Sequence, residues 1–195
     1  MKNITKIGVV FLLMLSMFGC YNKKKVDGED SKSEKNSTEN MKINPKENLA
    51  ELGLELPNVT TPGGNYVSVN VRENIAYIAI QFPILNEQYL HQGRLGTEIT
   101  TKQGYKAMEL CALNVLAQME KKVGFDKIIG LNHIDAYFQS SEDWDESPEV
   151  VNGASDLFVK VLEEKGKHSR SIFGVEKLPR NFSVGLTASF TIKKE

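Results

Sequence analysis

Arg170 is the side chain in this sequence best placed to do chemistry. It sits in Lys167-His168-Ser169-Arg170-Ser171-Ile172-Phe173-Gly174-Val175-Glu176-Lys177-Leu178-Pro179. A helical pattern ending at Gly166 precedes this stretch and a turn at Leu178-Pro179 closes it, so a cation stands at the mouth of a strand. A guanidinium carries a fixed charge on a planar fork of donors, the geometry that grips a carboxylate through two parallel hydrogen bonds. Arg170 is therefore expected to anchor a small-acid pocket.

Other reactive side chains do not form a constellation. His91, His133 and His168 are scattered without ligand spacing, so no metal and no cofactor is expected. Cys20 follows an apolar run near the N-terminus and Cys111 lies inside a helical pattern, contexts that suit neither a disulfide nor half of a metal site. Cys111 falls on an apolar stripe and reads as a small buried hydrophobe rather than a nucleophile. Ser140 to Glu146 is an acidic loop whose spacing does not match a calcium loop, and a solvated turn is the better reading.

The elements that must position Arg170 follow from periodicity. Glu47 to Leu54 has the spacing of a short helix closed by Gly53. Tyr66 to Val71 and Ile75 to Ile80 read as a hairpin, and the loop-rich run from Gln81 to Gly96 leaves room for one further short strand. Thr101 to Val123 carries apolar residues at helical intervals and stops at Gly124. Lys127 to Phe138 reads as a strand. Ser147, with Pro148 behind it, is the expected N-cap of a second helix whose buried stripe runs from Val150 to Leu162 and which ends at Gly166. In the last strand, Phe182, Val184, Leu186, Ala188, Phe190 and Ile192 alternate with Ser183, Gly185, Thr187, Ser189 and Thr191. One face is thus core, and the other, lined with small residues and uncharged until Lys193, reads as a subunit interface or as a solvated face.

Composition sets the outer limits. In 195 residues, 41% hydrophobic and 25% charged residues supply one good core, so one compact domain is expected. The formal net charge is -1, and no basic stripe with interleaved aromatics appears, so nucleic acid is not an expected partner.

Residues 1–19 have Lys2 and Lys6 ahead of the apolar run from Ile7 to Phe18. That run is short of the roughly 20 residues a membrane-spanning helix needs. It resembles a bacterial lipoprotein signal, which implies lipidation of Cys20 and anchoring of the chain to the cell envelope; an ordinary secretory signal is the alternative. Residues 20–46 are polar, with almost no large apolar residues, and read as a disordered tether. Residues 47–195 are the expected folded domain.

From about Leu52 to Ile192 the chain resembles the YjgF/Rid family, particularly its longer branch. The matching landmarks are Gly64-Asn65-Tyr66-Val67, Gly104-Tyr105 leading to Leu110-Cys111-Ala112-Leu113-Asn114, Val151-Asn152-Gly153-Ala154-Ser155-Asp156-Leu157, and His168-Ser169-Arg170-Ser171 with Leu178-Pro179. The resemblance implies a chorismate-mutase-like α+β domain, a mixed sheet with two helices on one face, assembled as a homotrimer with pockets between subunits. It further implies that Arg170 binds the carboxylate of a 2-imino or enamino acid that water hydrolyses to a 2-keto acid and ammonia. Tyr66 and Asn152 match pocket positions of the family.

Two stretches depart from the family pattern. A Ser-Gly-Gln run is replaced by Ala79-Ile80-Gln81, and the glutamate that positions the attacking water is replaced by Gly185. A positioned acid or base contributes roughly 10²–10⁴-fold, so its loss leaves a carboxylate site with weak or no hydrolysis unless another group, such as Glu176, stands in. Three readings follow: an imine deaminase, a non-catalytic binder of small carboxylates, and a structural envelope lipoprotein whose arginine pairs with a neighbouring carboxylate.

Overall fold

The computed structural model describes residues 44–194. The signal of residues 1–19, Cys20 and nearly all of the tether assigned to residues 20–46 lie outside the described residues, as does Glu195.

The elements run in chain order as follows. Helix α1 is Pro45–Glu51; strands β1, Val69–Arg72, and β2, Ile75–Gln81, form the expected hairpin. Strands β3, Ile84–Leu85, and β4, Gln88–Tyr89, make a separate small hairpin. Then come α2, Thr101–Lys122; β5, Ile128–Phe138; α3, Ser147–Leu162; β6, Ser169–Gly174; and β7, Val184–Ile192. Five strands share one sheet in the order β1-β2-β7-β5-β6, with β5 and β6 parallel and the other neighbours antiparallel. The fold is the expected α+β class, with α1 as a third, short helix docked on α3, where Asn48 Nδ2 donates to the Val161 carbonyl at 2.9 Å.

The alternation of β7 makes it the middle of the sheet. Val184, Leu186, Ala188, Phe190 and Ile192 are buried, while Thr187, Ser189 and Thr191 are half-exposed. The buried face meets α2 and α3, whose stripes include Met108, Cys111 and Leu116 on one helix and Ala154, Phe158 and Leu162 on the other. Burial pushes the Cys111 thiol well above its ordinary range, in keeping with its reading as a packing residue.

Gly153 decides how closely the two helices approach. A Cβ there would run into the carbonyl oxygen of Tyr105 and lie 3.1 Å from the backbone nitrogen of Glu109, both on α2. Only a residue without a side chain allows this contact, and it brings the α3 residues beside Gly153 to a fixed height over the sheet.

Several boundaries differ from the sequence reading. The first strand starts at Val69 rather than Tyr66: its ladder with β2 begins at Val69 opposite Ile78, and Tyr66 and Val67 ahead of it are exposed. The excursion after β2 holds two short strands rather than one, joined through Asn86 and Glu87, both at positive φ (48° and 70°) as a two-residue hairpin requires. Ser147 is the first residue of α3 and not its cap: Glu146 precedes the helix and makes no capping hydrogen bond, its carboxylate being held by the Thr101 hydroxyl. By contrast, α2 has a full capping box between Thr100 and Gln103. Regular α3 ends at Leu162, and the remaining turn to Gly166 is 3₁₀.

The face of the sheet away from the helices is more varied than β7 alone suggested. Cross-strand register aligns Tyr77, Ser189, His133 and Ser169 in one row, Thr187, Asp135 and Ser171 in the next, and Gly185, Tyr137 and Phe173 in a third. His133 Nδ1 meets the Ser169 hydroxyl at 2.7 Å, and its Nε2 lies 3.0 Å from the Asp135 carboxylate and 3.1 Å from the Ser171 hydroxyl. The small-residue stripe is one strand wide, bordered by this polar cluster and by the stacked pair Tyr137 and Phe173, whose ring centroids are 5.4 Å apart.

Candidate functional site

Arg170 lies on β6, an edge strand, opposite Ile134 of β5, and its side chain is half-buried beneath α3. Asn152 and Ser155 of α3 are three residues apart and so share one helix face. Both meet the guanidinium: Arg170 Nη1 donates to Asn152 Oδ1 at 2.8 Å and to Ser155 Oγ at 3.2 Å.

His168, two residues before Arg170, completes the cluster. Its Nδ1 lies 2.6 Å from the Gly166 carbonyl oxygen, which can only accept, so the proton resides on Nδ1. Nε2 is then an acceptor and takes the Ser155 hydroxyl hydrogen at 3.1 Å. The result is a directed chain: Arg170 donates to Ser155, Ser155 to His168, and His168 to Gly166. Burial lowers the imidazole's pKa from 6.5, the Gly166 carbonyl opposes this, and the positive charge of Arg170 and then His133 lower it further. The neutral ring that results is the form the chain requires. The Phe158 ring meets it edge-on at 5.8 Å.

Among the described residues, both hydrogen-bond partners of Arg170 are neutral and both use Nη1. Asp156, the carboxylate next to Ser155, is engaged elsewhere and accepts the Tyr105 hydroxyl at 2.8 Å. That phenol is pushed up to about 12, first by burial and then by the Asp156 hydrogen bond. The guanidinium therefore keeps its remaining donors and an unmatched positive charge.

Of the residues expected at the site, Asn152 meets Arg170 and Tyr66 does not. Tyr66 is 53% exposed just ahead of β1, where its hydroxyl accepts from the Gly63 amide at 3.3 Å. Strands β1 and β6 are the two edges of the sheet, four strand spacings apart, or roughly 19 Å. Within one chain the two residues belong to different places.

Gly185 is buried, and its surroundings are hydrocarbon. A Cβ at this position would lie 2.8 Å from Ile80 Cδ1 and 3.0 Å from Phe82 Cε1. Phe82 is in turn stacked on Phe182 with centroids 4.8 Å apart. Gln81, next to Ile80, is buried and turns its amide to the Ala79 and Ile80 carbonyls. Within one chain Glu176 lies away from Gly185: its side chain is 94% exposed and its carboxylate faces Arg94 at 3.7 Å.

Ser155 and His168 are the site residues that the sequence reading missed. Their signal lay in spacing: Ser155 stands one helical turn beyond Asn152, and His168 precedes Arg170 by two, the strand repeat that puts side chains on the same side. Among the described residues, no group of three or more His, Cys, Asp or Glu side chains is placed to hold a metal ion, and no helix is long and apolar enough to cross a membrane.

An α+β domain whose sheet carries its helices on one face, with an arginine on the edge strand under the second helix, defines the class of protein. The family model described as "YjgF/chorismate_mutase-like, putative endoribonuclease" matches residues 46–191, and the chain belongs to this family. Protein TCP17 of Trypanosoma cruzi is 34% identical over 143 residues, spanning 72% of this chain and 89% of that protein. Two solved structures are similar. One, described as a "putative endoribonuclease" from Shewanella oneidensis, has 31% identity and a TM-score of 0.74 over 75% of this chain and 98% of its own. The other, Atu1372 of unknown function from Agrobacterium tumefaciens, has 32% identity and a TM-score of 0.72 over 76% and 92%.

Proposed function

We propose that this protein binds small carboxylates of the 2-keto or 2-imino acid type at Arg170, in a site that a second copy of the chain completes. One observation carries the reading: a half-buried guanidinium has only neutral partners, Asn152 and Ser155, within the described residues. Uncompensated charge in such a position is costly, and an incoming carboxylate relieves that cost through donors already held in place. Family membership supports the same reading, as does the resemblance that places Tyr66 in the pocket. Because Tyr66 and Arg170 occupy opposite edges of the sheet, Tyr66 can join the site only from another protomer, which fits a homotrimer with pockets between subunits.

Binding is favoured over hydrolysis. The place where a water-positioning carboxylate would stand is occupied around Gly185 by Ile80 and Phe82, so the protomer offers no acid or base there. The endoribonuclease description stays with the family model and the relative that carry it. We further propose that Cys20 is lipidated and holds the domain at a bacterial envelope membrane.

Thermal-shift titration with pyruvate and 2-oxobutanoate tests the carboxylate site. Saturable stabilisation is expected for the native protein and none for Arg170→Ala, whereas equal stabilisation of the two would remove Arg170 from the site. In parallel, ammonia release from 2-imino acids generated by an amino-acid oxidase is expected to match buffer. Clear acceleration would restore the deaminase reading.

A further inference from the structure

A cavity of about 570 Å³ opens where the turn between β1 and β2, the end of α2, the start of β5 and the end of β7 come together. Its size falls in the roughly 300–1,000 Å³ range of small-molecule sites. None of its lining residues belongs to the Arg170 cluster. Lys122, Lys193 and Lys194 line it, Lys127 stands in the same wall, and Glu73 is the lining carboxylate. Val71, Val123 and Ile192 give it an apolar side.

Lysines at a helix C-terminus have an ordinary explanation, since the helix end is negative and favours cations. That covers Lys122 in the last turn of α2. It does not cover Lys193 and Lys194, which follow β7 and turn toward the same space. Leaving Lys127 aside, three ammonium groups face one carboxylate across the cavity among the described residues, and those three make no ion pair or hydrogen bond with a described residue. Other lysines nearby are engaged: Lys46 pairs with Glu120 at 2.7 Å, and Lys165 donates to the Ile128 carbonyl at 2.9 Å.

We infer that this cavity binds a phosphate-bearing anion with an apolar portion. Lysines act as point charges that bind phosphate without the planar fork by which an arginine grips a carboxylate or a phosphate bidentately. A single carboxylate would leave most of the mutual repulsion of three ammonium groups in place, while a phosphate monoester at neutral pH offsets up to two charges. Val71, Val123 and Ile192 can take the carbon part of the molecule. Phosphate chemistry of this kind occurs in soluble phosphoesters and in lipid headgroups. The headgroup source has positional support, because the Lys46–Glu120 pair fastens the start of the described domain to the last turn of α2, two residues from Lys122. The inference is independent of the Arg170 reading.

The test uses the full chain at fixed ionic strength with two probes. Glycerol 3-phosphate is titrated by thermal shift and calorimetry, and vesicles of phosphatidic acid in phosphatidylcholine are compared with phosphatidylcholine alone by co-sedimentation. The triple variant Lys122→Gln/Lys193→Gln/Lys194→Gln is set against Lys102→Gln/Lys160→Gln/Lys177→Gln, which removes equal charge elsewhere. Loss of roughly a hundredfold in affinity is expected for the first variant only, at about fivefold per lysine. Binding of glycerol 3-phosphate identifies a soluble phosphoester, and binding to the anionic vesicles alone identifies a headgroup. The inference is overturned if neither probe binds, or if the two variants weaken binding equally, which would mark diffuse charge rather than a site.

Discussion

Gly185→Glu puts back the residue that the family resemblance leads one to expect, and the structure makes the cost of doing so calculable. The new Cβ would sit 2.8 Å and 3.1 Å from Ile80 Cδ1 and Cγ1 and 3.0 Å from Phe82 Cε1. The end of the Ile80 side chain can swing away, but the Phe82 ring is pinned by its stack on Phe182. Overpacking of this kind costs roughly 1–3 kcal/mol, and a carboxyl lodged among phenyl rings without a partner adds about 1–3 kcal/mol more. A total near 2–6 kcal/mol corresponds to a fall in Tm of roughly 4–24 °C for a chain of this size. The assay is a thermal and denaturant melt of the variant beside native protein, with the 2-imino acid assay run on both. Ile80→Ala in the same chain removes two of the three contacts and should recover part of the loss, with Ile80→Ala alone closing the cycle. A variant that melts within about 1 kcal/mol of native, or that gains ammonia release on its own, would show that Gly185 borders open space. Binding would then have no advantage over hydrolysis at this site.

Because burial lowers the pKa of His168 below 6.5, the unfolded state takes up protons first as pH falls. Stability is therefore full above pH 6.5 and is lost as pH drops toward the folded pKa; urea midpoints should fall less steeply over that window in His168→Gln than in native protein, and parallel curves would show that His168 does not titrate with folding. Metabolic labelling with a radioactive fatty acid should mark the native chain and not Cys20→Ser, and equal labelling would dismiss lipidation at that residue.

Long-period patterns were the legible part of this sequence. Helix α2 and strand β7 appear within a residue or two of their expected spans, because a 22-residue helix and a 9-residue strand each repeat the burial signal several times. The ends of elements were harder. Ser147 has the side chain of a cap, but the cap position belongs to Glu146, which is drawn to Thr101 from 45 residues away, and local sequence holds no record of such a contact. The site divides in the same way. Arg170 stood out by charge and position, whereas Ser155 and His168 look ordinary until α3 lies across β6. The filled surroundings of Gly185 depend on Phe82 and Phe182, about a hundred residues apart, and only the register of β2 against β7 brings them together.

The placement of β1 and β6 at opposite edges of one sheet would, in the proposed shared pocket, tie ligand binding to assembly by mass action. If Tyr66 of one chain and Arg170 of another frame the same carboxylate, the ligand stabilises the oligomer by the amount that the oligomer tightens the ligand. Dilution then weakens affinity without any change of sequence. At the proposed membrane anchor, crowding would raise local concentration and strengthen it, so occupancy of the proposed site would report how densely the protein is packed as well as how much acid is present.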